Sequence, residues 1–112
     1  MSDTISFEDF TKVDIRTGTI IEINDFPKAR NPSYQITIDF GALGIKKSSA
    51  QITELYTKED LLNKQITAIV NFKSKQIANF ISECLILGVE NKDGNIVLLK
   101  IATQTNNGTQ IN

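Results

Sequence analysis

The stretch Val13–Ile23 restricts the fold more than any other part of the chain. Val13, Ile15, Thr17, Thr19, Ile21 and Ile23 fall on one side of an extended backbone, and Asp14, Arg16, Gly18, Ile20 and Glu22 fall on the other. This is the period-2 pattern of a β-strand, sustained over an unusual length. Gly18 near its middle marks a bulge or a sharp bend. A long strand that bends midway suits a sheet curling into a small barrel.

The remaining elements follow in order. Two prolines make Asn24–Ser33 a loop. Tyr34–Phe40 is a second strand, with Tyr34, Ile36, Ile38 and Phe40 inward, and Gly41–Gly44 connects it tightly to a third, Ile45–Gln51. Thr57–Asn63 is a short helix, capped by Thr57 and carrying acids in its first turn. Ile66–Phe72 and Ser82–Val89 are rich in Ile, Val and Leu and are the fourth and fifth strands, with Lys73–Asn79 between them as an outward-facing loop. The Asp93-Gly94 turn leads to a sixth strand, Ile96–Ile101. Ser6–Phe10 is a capped helical turn whose Phe7 and Phe10 are expected to pack on the body, and Ile111 is expected to dock the C-terminal end. Residues 1–112 thus make one domain. The expected class is all-β, a five-stranded OB-fold barrel with a short helix between strands three and four and extensions at both ends. Another small barrel or a sandwich is the alternative.

Composition narrows the function. There is no histidine and one cysteine, which removes imidazole bases and triads, makes a zinc site implausible and rules out an internal disulfide. No phosphate-binding glycine loop occurs, so neither an enzyme nor a bound cofactor is expected. The first residues lack a signal-peptide pattern and no run reaches membrane-span length; a reducing cytoplasm is the expected compartment. Net charge is −1, but it is unevenly spread. Residues 1–25 hold two basic and six acidic side chains, whereas residues 26–80 hold eight basic and four acidic ones.

The basic residues fall where an OB-fold binds oligonucleotides, on strands two and three and the loops beside them. Lys28 and Arg30 lie in the first loop. Lys46 and Lys47 lie on strand three, one on each face, with Lys46 taken as the ligand-side residue. Lys73 and Lys75 lie in the loop between strands four and five. Ser48 and Ser49 supply hydroxyl donors to phosphate or peptide backbone. The expected RNA-binding set is therefore Lys28, Arg30, Lys46, Ser48, Ser49, Lys73 and Lys75. Phe26, Tyr34, Phe72 and Phe80 are interleaved with it, and exposed aromatics stack on unpaired bases. Elsewhere, Cys84 reads as a small core hydrophobe, Asp39 as a turn cap, and Arg16 as half of an ion pair with Asp14 or Asp39.

Several stretches together resemble one family. Val13-Asp14-Ile15-Arg16-Thr17-Gly18-Thr19-Ile20, Ile38-Asp39-Phe40-Gly41, Ile45-Lys46-Lys47-Ser48-Ser49-Ala50-Gln51-Ile52, Val70-Asn71-Phe72 with Ser82-Glu83-Cys84-Leu85, and the ending Asn107-Gly108-Thr109-Gln110-Ile111 resemble the CsaA family of export-associated chaperones. That family is part of the tRNA-binding-domain group, which is similar to C-terminal domains of some methionyl-tRNA synthetases. The Ser48-Ser49-Ala50 stretch favours the CsaA branch over the synthetase-type domains. The resemblance implies an OB-fold, a homodimer built with both terminal extensions, binding of tRNA or structured RNA, and a chaperone role on unfolded or preprotein segments. The apolar residues expected to meet such segments are Phe26, Phe72, Ile77 and Phe80. The loop after Phe72 departs from the family pattern, since Gln76 and Asn79 stand where a basic residue and a glycine are usual. Asn79 is expected to adopt the left-handed backbone. A protein–protein adaptor that binds no nucleic acid is the alternative function.

Overall fold

The computed structural model describes residues 2–112. Strands β1 (Ile15–Asp25), β2 (Tyr34–Asp39) and β3 (Ile45–Ala50) are followed by helix α2 (Lys58–Leu61) and strand β4 (Gln65–Ile69); helix α1 (Phe7–Thr11) precedes them all. The chain then runs through five short strands, β5 (Lys75–Ile77), β6 (Phe80–Ser82), β7 (Leu85–Ile86), β8 (Gly88–Glu90) and β9 (Ile96–Leu98). The main sheet is antiparallel, with strand order β3-β2-β1-β4-β7. Its two edges meet. Glu83 N–H donates to Lys47 O at 2.7 Å, and Ser49 N–H donates to Ser82 Oγ at 3.3 Å. The result is the expected OB-type barrel, with the helix between its third and fourth strands.

The core is Ile20, Ile36, Ile38, Phe40, Ile66 and Ala68, with Leu61 from α2 closing one end. In β2 the alternation is as the sequence reads. In β1 it is not. Gly18 and Ile20 face the core, and the register shifts between Ile20 and Glu22, which leaves Ile21 exposed and returns Ile23 to the edge of the core. The bulge therefore lies after Ile20 and not at Gly18. Gly18 has a separate reason. A Cβ there would lie 2.6 Å from Ile38 Cγ2 and 2.7 Å from the Phe40 ring, so these side chains occupy the space a larger residue would need.

The expected fifth strand is also different. Between Phe80 and Glu90 the backbone changes partner repeatedly, pairing with β5, then Lys47 of β3, then β4, then β9. A strand that closes a barrel must leave one neighbour to reach the next, so it appears as β6, β7 and β8. The presumed loop Lys73–Asn79 is partly a ribbon, β5–β6, in which Ile77 pairs with Phe80. Ala78, not Asn79, takes the left-handed backbone there, with φ 52°.

Both helices have the capping boxes their sequences imply. Ser6 accepts from Asp9 N–H and Thr57 from Asp60 N–H, with each acid returning the contact. The Asp60 carboxyl is held below its usual range, chiefly by the Thr57 backbone N–H. The C-terminal segment docks as expected. Thr17 N–H donates to Thr109 O, Gly108 N–H to Thr17 O and Ile111 N–H to Ile15 O. Arg16 pairs with Asp14 at 2.6 Å and also donates to Gly108 O. The N-terminal expectation fails at Phe7, which is 76% exposed and packs only its ring edge near Phe10, 5.9 Å between centroids. With five residues, α1 is too short to lay both rings on the barrel.

Gly18→Ala is expected to lower unfolding stability by about 1–3 kcal/mol through overpacking. Urea unfolding with an unchanged m-value measures it. Combining it with Phe40→Leu should cost less than the sum of the two changes, because the smaller side chain vacates the same space.

Candidate nucleic-acid interface

The barrel seam and the β5–β6 ribbon build a groove of about 410 Å³. Its floor comes from Ser49 on β3 and from Ser82, Glu83 and Cys84, where the seam closes. Phe72 and Lys73 form one wall, and Lys75 and Ile77 stand on the ribbon. The structure thus brings together Ser49, Phe72, Lys73, Lys75 and Ile77 from the expected sets. Phe72 is 55% exposed because β4 ends at Ile69 and the chain swings outward. Asn71 holds that exit in place. Its side chain donates to Lys12 O at 2.7 Å and accepts from Asp14 N–H at 3.0 Å.

The other expected residues lie outside the groove. Lys28 and Arg30 are exposed on the loop between β1 and β2. Phe26 on that loop and Phe80 on β6 are buried against each other, 4% and 8% exposed, with centroids 5.4 Å apart and planes at 56°. Their rings fasten the Lys28 loop to the ribbon that carries Lys75. Lys46 pairs with Ile38 on the core-facing side of β3 and is half-buried, whereas Lys47, opposite Thr37, is the exposed lysine of this strand. Ser48 faces inward opposite Ile36, 1% exposed, and donates to Ser49 O at 3.2 Å.

Glu83 was not singled out from the sequence. Its Oε1 accepts the Lys47 N–H at 3.0 Å, and its own N–H donates to Lys47 O. One acid residue so fixes both polar groups of a lysine on the facing strand, and it does so at the groove floor. No periodicity or motif signals such a contact. Cys84 beside it is buried as the sequence implies, and burial pushes its thiol from 9.0 up to about 12, helped by the charge of Glu83.

Among the described residues there is no cluster of three or more His, Cys, Asp or Glu placed to hold a metal ion. No helix among them is long and apolar enough to cross a membrane.

Comparison with known proteins gives a consistent picture. The family described as "Putative tRNA binding domain" matches residues 15–110. The crystal structure of chaperone CsaA from Bacillus anthracis is 46% identical, with a TM-score of 0.92, covering 98% of this chain and 100% of that one. The CsaA chaperone of Picrophilus torridus is 49% identical, with a TM-score of 0.91, covering 97% of this chain and 100% of that one. A methionine–tRNA ligase of Bacteroides fragilis is 34% identical over 107 residues, which is 96% of this chain. The chain spans only 16% of the length of that ligase.

Because the neutral thiol is the buried form, Cys84 should resist alkylation at pH 8 and react at the rate of a free thiol only once denaturant unfolds the barrel. Its raised pKa favours the fold below pH 9, and that contribution is lost as pH rises from 9.0 toward about 12. Cys84→Ala should flatten this part of the stability profile, read by denaturant unfolding across the range.

Proposed function

The chain belongs to the tRNA-binding-domain family, and within it to the CsaA branch, and from that membership we propose that it binds tRNA or similarly structured RNA. The observation that carries the reading is the joining of two basic loops by the buried Phe26–Phe80 pair. That pair sets Lys28 and Arg30 on one side and Lys73 and Lys75 on the other, with an exposed aromatic, Phe72, in the groove between the seam and the ribbon. Ammonium groups on a surface neutralise phosphates and release counterions, while the aromatic face takes an unpaired base. Ser49 and the exposed Lys47 extend the surface along β3. Lys46 borders it from the barrel end.

The same groove supports a second role on unfolded or preprotein segments. Phe72, Ile77 and Leu85 give it an apolar lining beneath a lysine rim, which suits an extended polypeptide with apolar side chains. This is the chaperone function that the names of the CsaA relatives carry, and a protein-export role is its natural extension. The two ligands would compete for one surface.

A homodimer completes the proposal. Ile5 and Phe7 expose apolar surface on the N-terminal arm, 66% and 76% of each residue, and a second copy of the chain offers the cover that the barrel does not. Sedimentation should give a particle of twice 12.5 kDa, and Phe7→Glu should shift it toward the monomer. A monomeric wild type would refute the dimer.

For RNA, log affinity for tRNA should fall linearly with log salt, by about 0.7–0.9 per phosphate neutralised. Lys73→Ala with Lys75→Ala should weaken binding about tenfold or more at low salt and shallow the slope by one to two phosphate equivalents. A flat salt response, or no binding at low salt, would sink the RNA reading. Unfolded polypeptide added to the same assay tests the second role through displacement of the tRNA.

A further inference from the structure

Glu83 is the acidic side chain of the groove, and phosphate binding gives it no part to play. A carboxylate next to Lys73 and Lys75 weakens a phosphate site. Its Oε1 is committed to the Lys47 N–H at 3.0 Å. Its Oε2 takes no hydrogen bond from any described residue, and neither does the Ser49 Oγ give one. The seam fixes the backbone of both residues, since Glu83 N–H is bonded to Lys47 O and Ser49 N–H to Ser82 Oγ. The groove floor therefore presents an acceptor held at a set position and a hydroxyl beside it, under an exposed phenyl ring.

We propose that Glu83 makes this groove selective for an unpaired nucleobase bearing an exocyclic amino group, and against uracil. The inference rests on the RNA reading above and names what that surface recognises. A base stacked on Phe72 turns its Watson–Crick edge toward the floor. Cytosine then offers its N4 amino group to the free carboxylate oxygen and its N3 acceptor to the Ser49 hydroxyl. Adenine offers N6 and N1 in the same order. Guanine offers N1–H and its N2 amino group together, a bidentate match to a carboxylate. Uracil carries one ring N–H between two carbonyl oxygens, so a carboxylate that reaches the N–H also meets an oxygen lone pair. A site whose buried acceptor is left unpaired by the wrong base rejects it strongly. Lys73 and Lys75 are left to the phosphates on either side.

The test is binding of fluorescent hexaribonucleotides, oligo-C, oligo-A and oligo-U, to the full chain at 50 mM salt and pH 7.5. The wild type should prefer oligo-C over oligo-U by about tenfold or more, the discrimination of one good base contact. Oligo-C built from N4,N4-dimethylcytidine, which has lost its amino hydrogens, should fall to the oligo-U level; this arm leaves the protein untouched. Glu83→Gln keeps an oxygen for the Lys47 N–H and turns an amide NH₂ into the groove. It should bind every oligonucleotide more tightly, having lost a negative charge, while the C-to-U ratio falls to one or reverses. Equal, salt-dependent binding of all three oligonucleotides by the wild type overturns the base preference and leaves the RNA reading standing. An unchanged ratio in Glu83→Gln overturns the role of Glu83. If no oligonucleotide binds while an unfolded polypeptide does, both readings fall and the groove is a peptide site.

Discussion

Strand β1 has more backbone to satisfy than any other element, and the rest of the fold is arranged around meeting that demand. A buried N–H or C=O left unpaired costs about as much as a lost hydrogen bond. Along one edge β4 pairs residues 15–19, and Asn63 and Lys64 take over at Ile20, with Ile20 N–H to Lys64 O at 2.9 Å and Asn63 N–H to Ile20 O at 2.8 Å. Asn63 reaches that position through a left-handed backbone, φ 67°, just after α2. Along the other edge β2 begins at Thr19, which leaves residues 15–17 open, and the C-terminal segment fills them. The helix end and the C-terminal segment are thus part of the barrel's hydrogen bonding. Thr17, Thr19 and Gln65 extend the same bonding through side chains to Asn106, Asn107 and Thr105.

Full pairing of β1 leaves closure to β3 and the segment after β6, and the groove lies at that closure. The seam there is made by few bonds. One of them uses the Glu83 side chain in place of a backbone partner. A seam that relies on side chains leaves polar atoms near the surface with valences to spare, which a regular ladder would have consumed. The Phe26–Phe80 pair makes the surrounding loops part of the rigid body. Burying two phenyl rings against each other contributes about 0.5–1.5 kcal/mol beyond the area they remove from water. It lets exposed lysines on two sequence-distant loops keep a fixed spacing.

The barrel and its order of elements were legible because they rest on local signals: alternation in Tyr34–Phe40, caps at Ser6 and Thr57, the Asp93-Gly94 turn. So was the placement of Lys73, Lys75 and Phe72 at one site, since the fold order fixes where that loop sits. What was not legible depends on contacts between distant residues. The phase of β1 reads either way when Ile15, Ile20, Ile21 and Ile23 occupy both faces, and only pairing with β2 reveals the bulge. Asn79 is the better left-handed residue by propensity, yet the pairing of Ile77 with Phe80 puts Ala78 at the first loop position, where a two-residue hairpin requires positive φ. Phe26 and Phe80 read as surface aromatics because each sits among polar neighbours; their partners are each other. Glu83 carries no sequence signal at all.

Net charge is a poor guide to what such a molecule binds. Screening confines an exposed charge to about 8 Å at physiological salt, whereas the chain measures 41 × 35 × 29 Å. A ligand in the groove responds to Lys73, Lys75 and Glu83 and only faintly to the acids of the N-terminal arm. The acidic excess of residues 1–25 and the basic excess of residues 26–80 nearly cancel in the total, but the fold does not mix them. Residues 3–9 sit on an arm outside the main sheet, while the basic loops are fastened to the barrel by Phe26 and Phe80. Had the same lysines been spread evenly over the surface, the total would be identical and no polyanion site would exist. The determinant is which charges the buried contacts hold together, and in this chain those contacts are an aromatic pair and a seam closed by one glutamate.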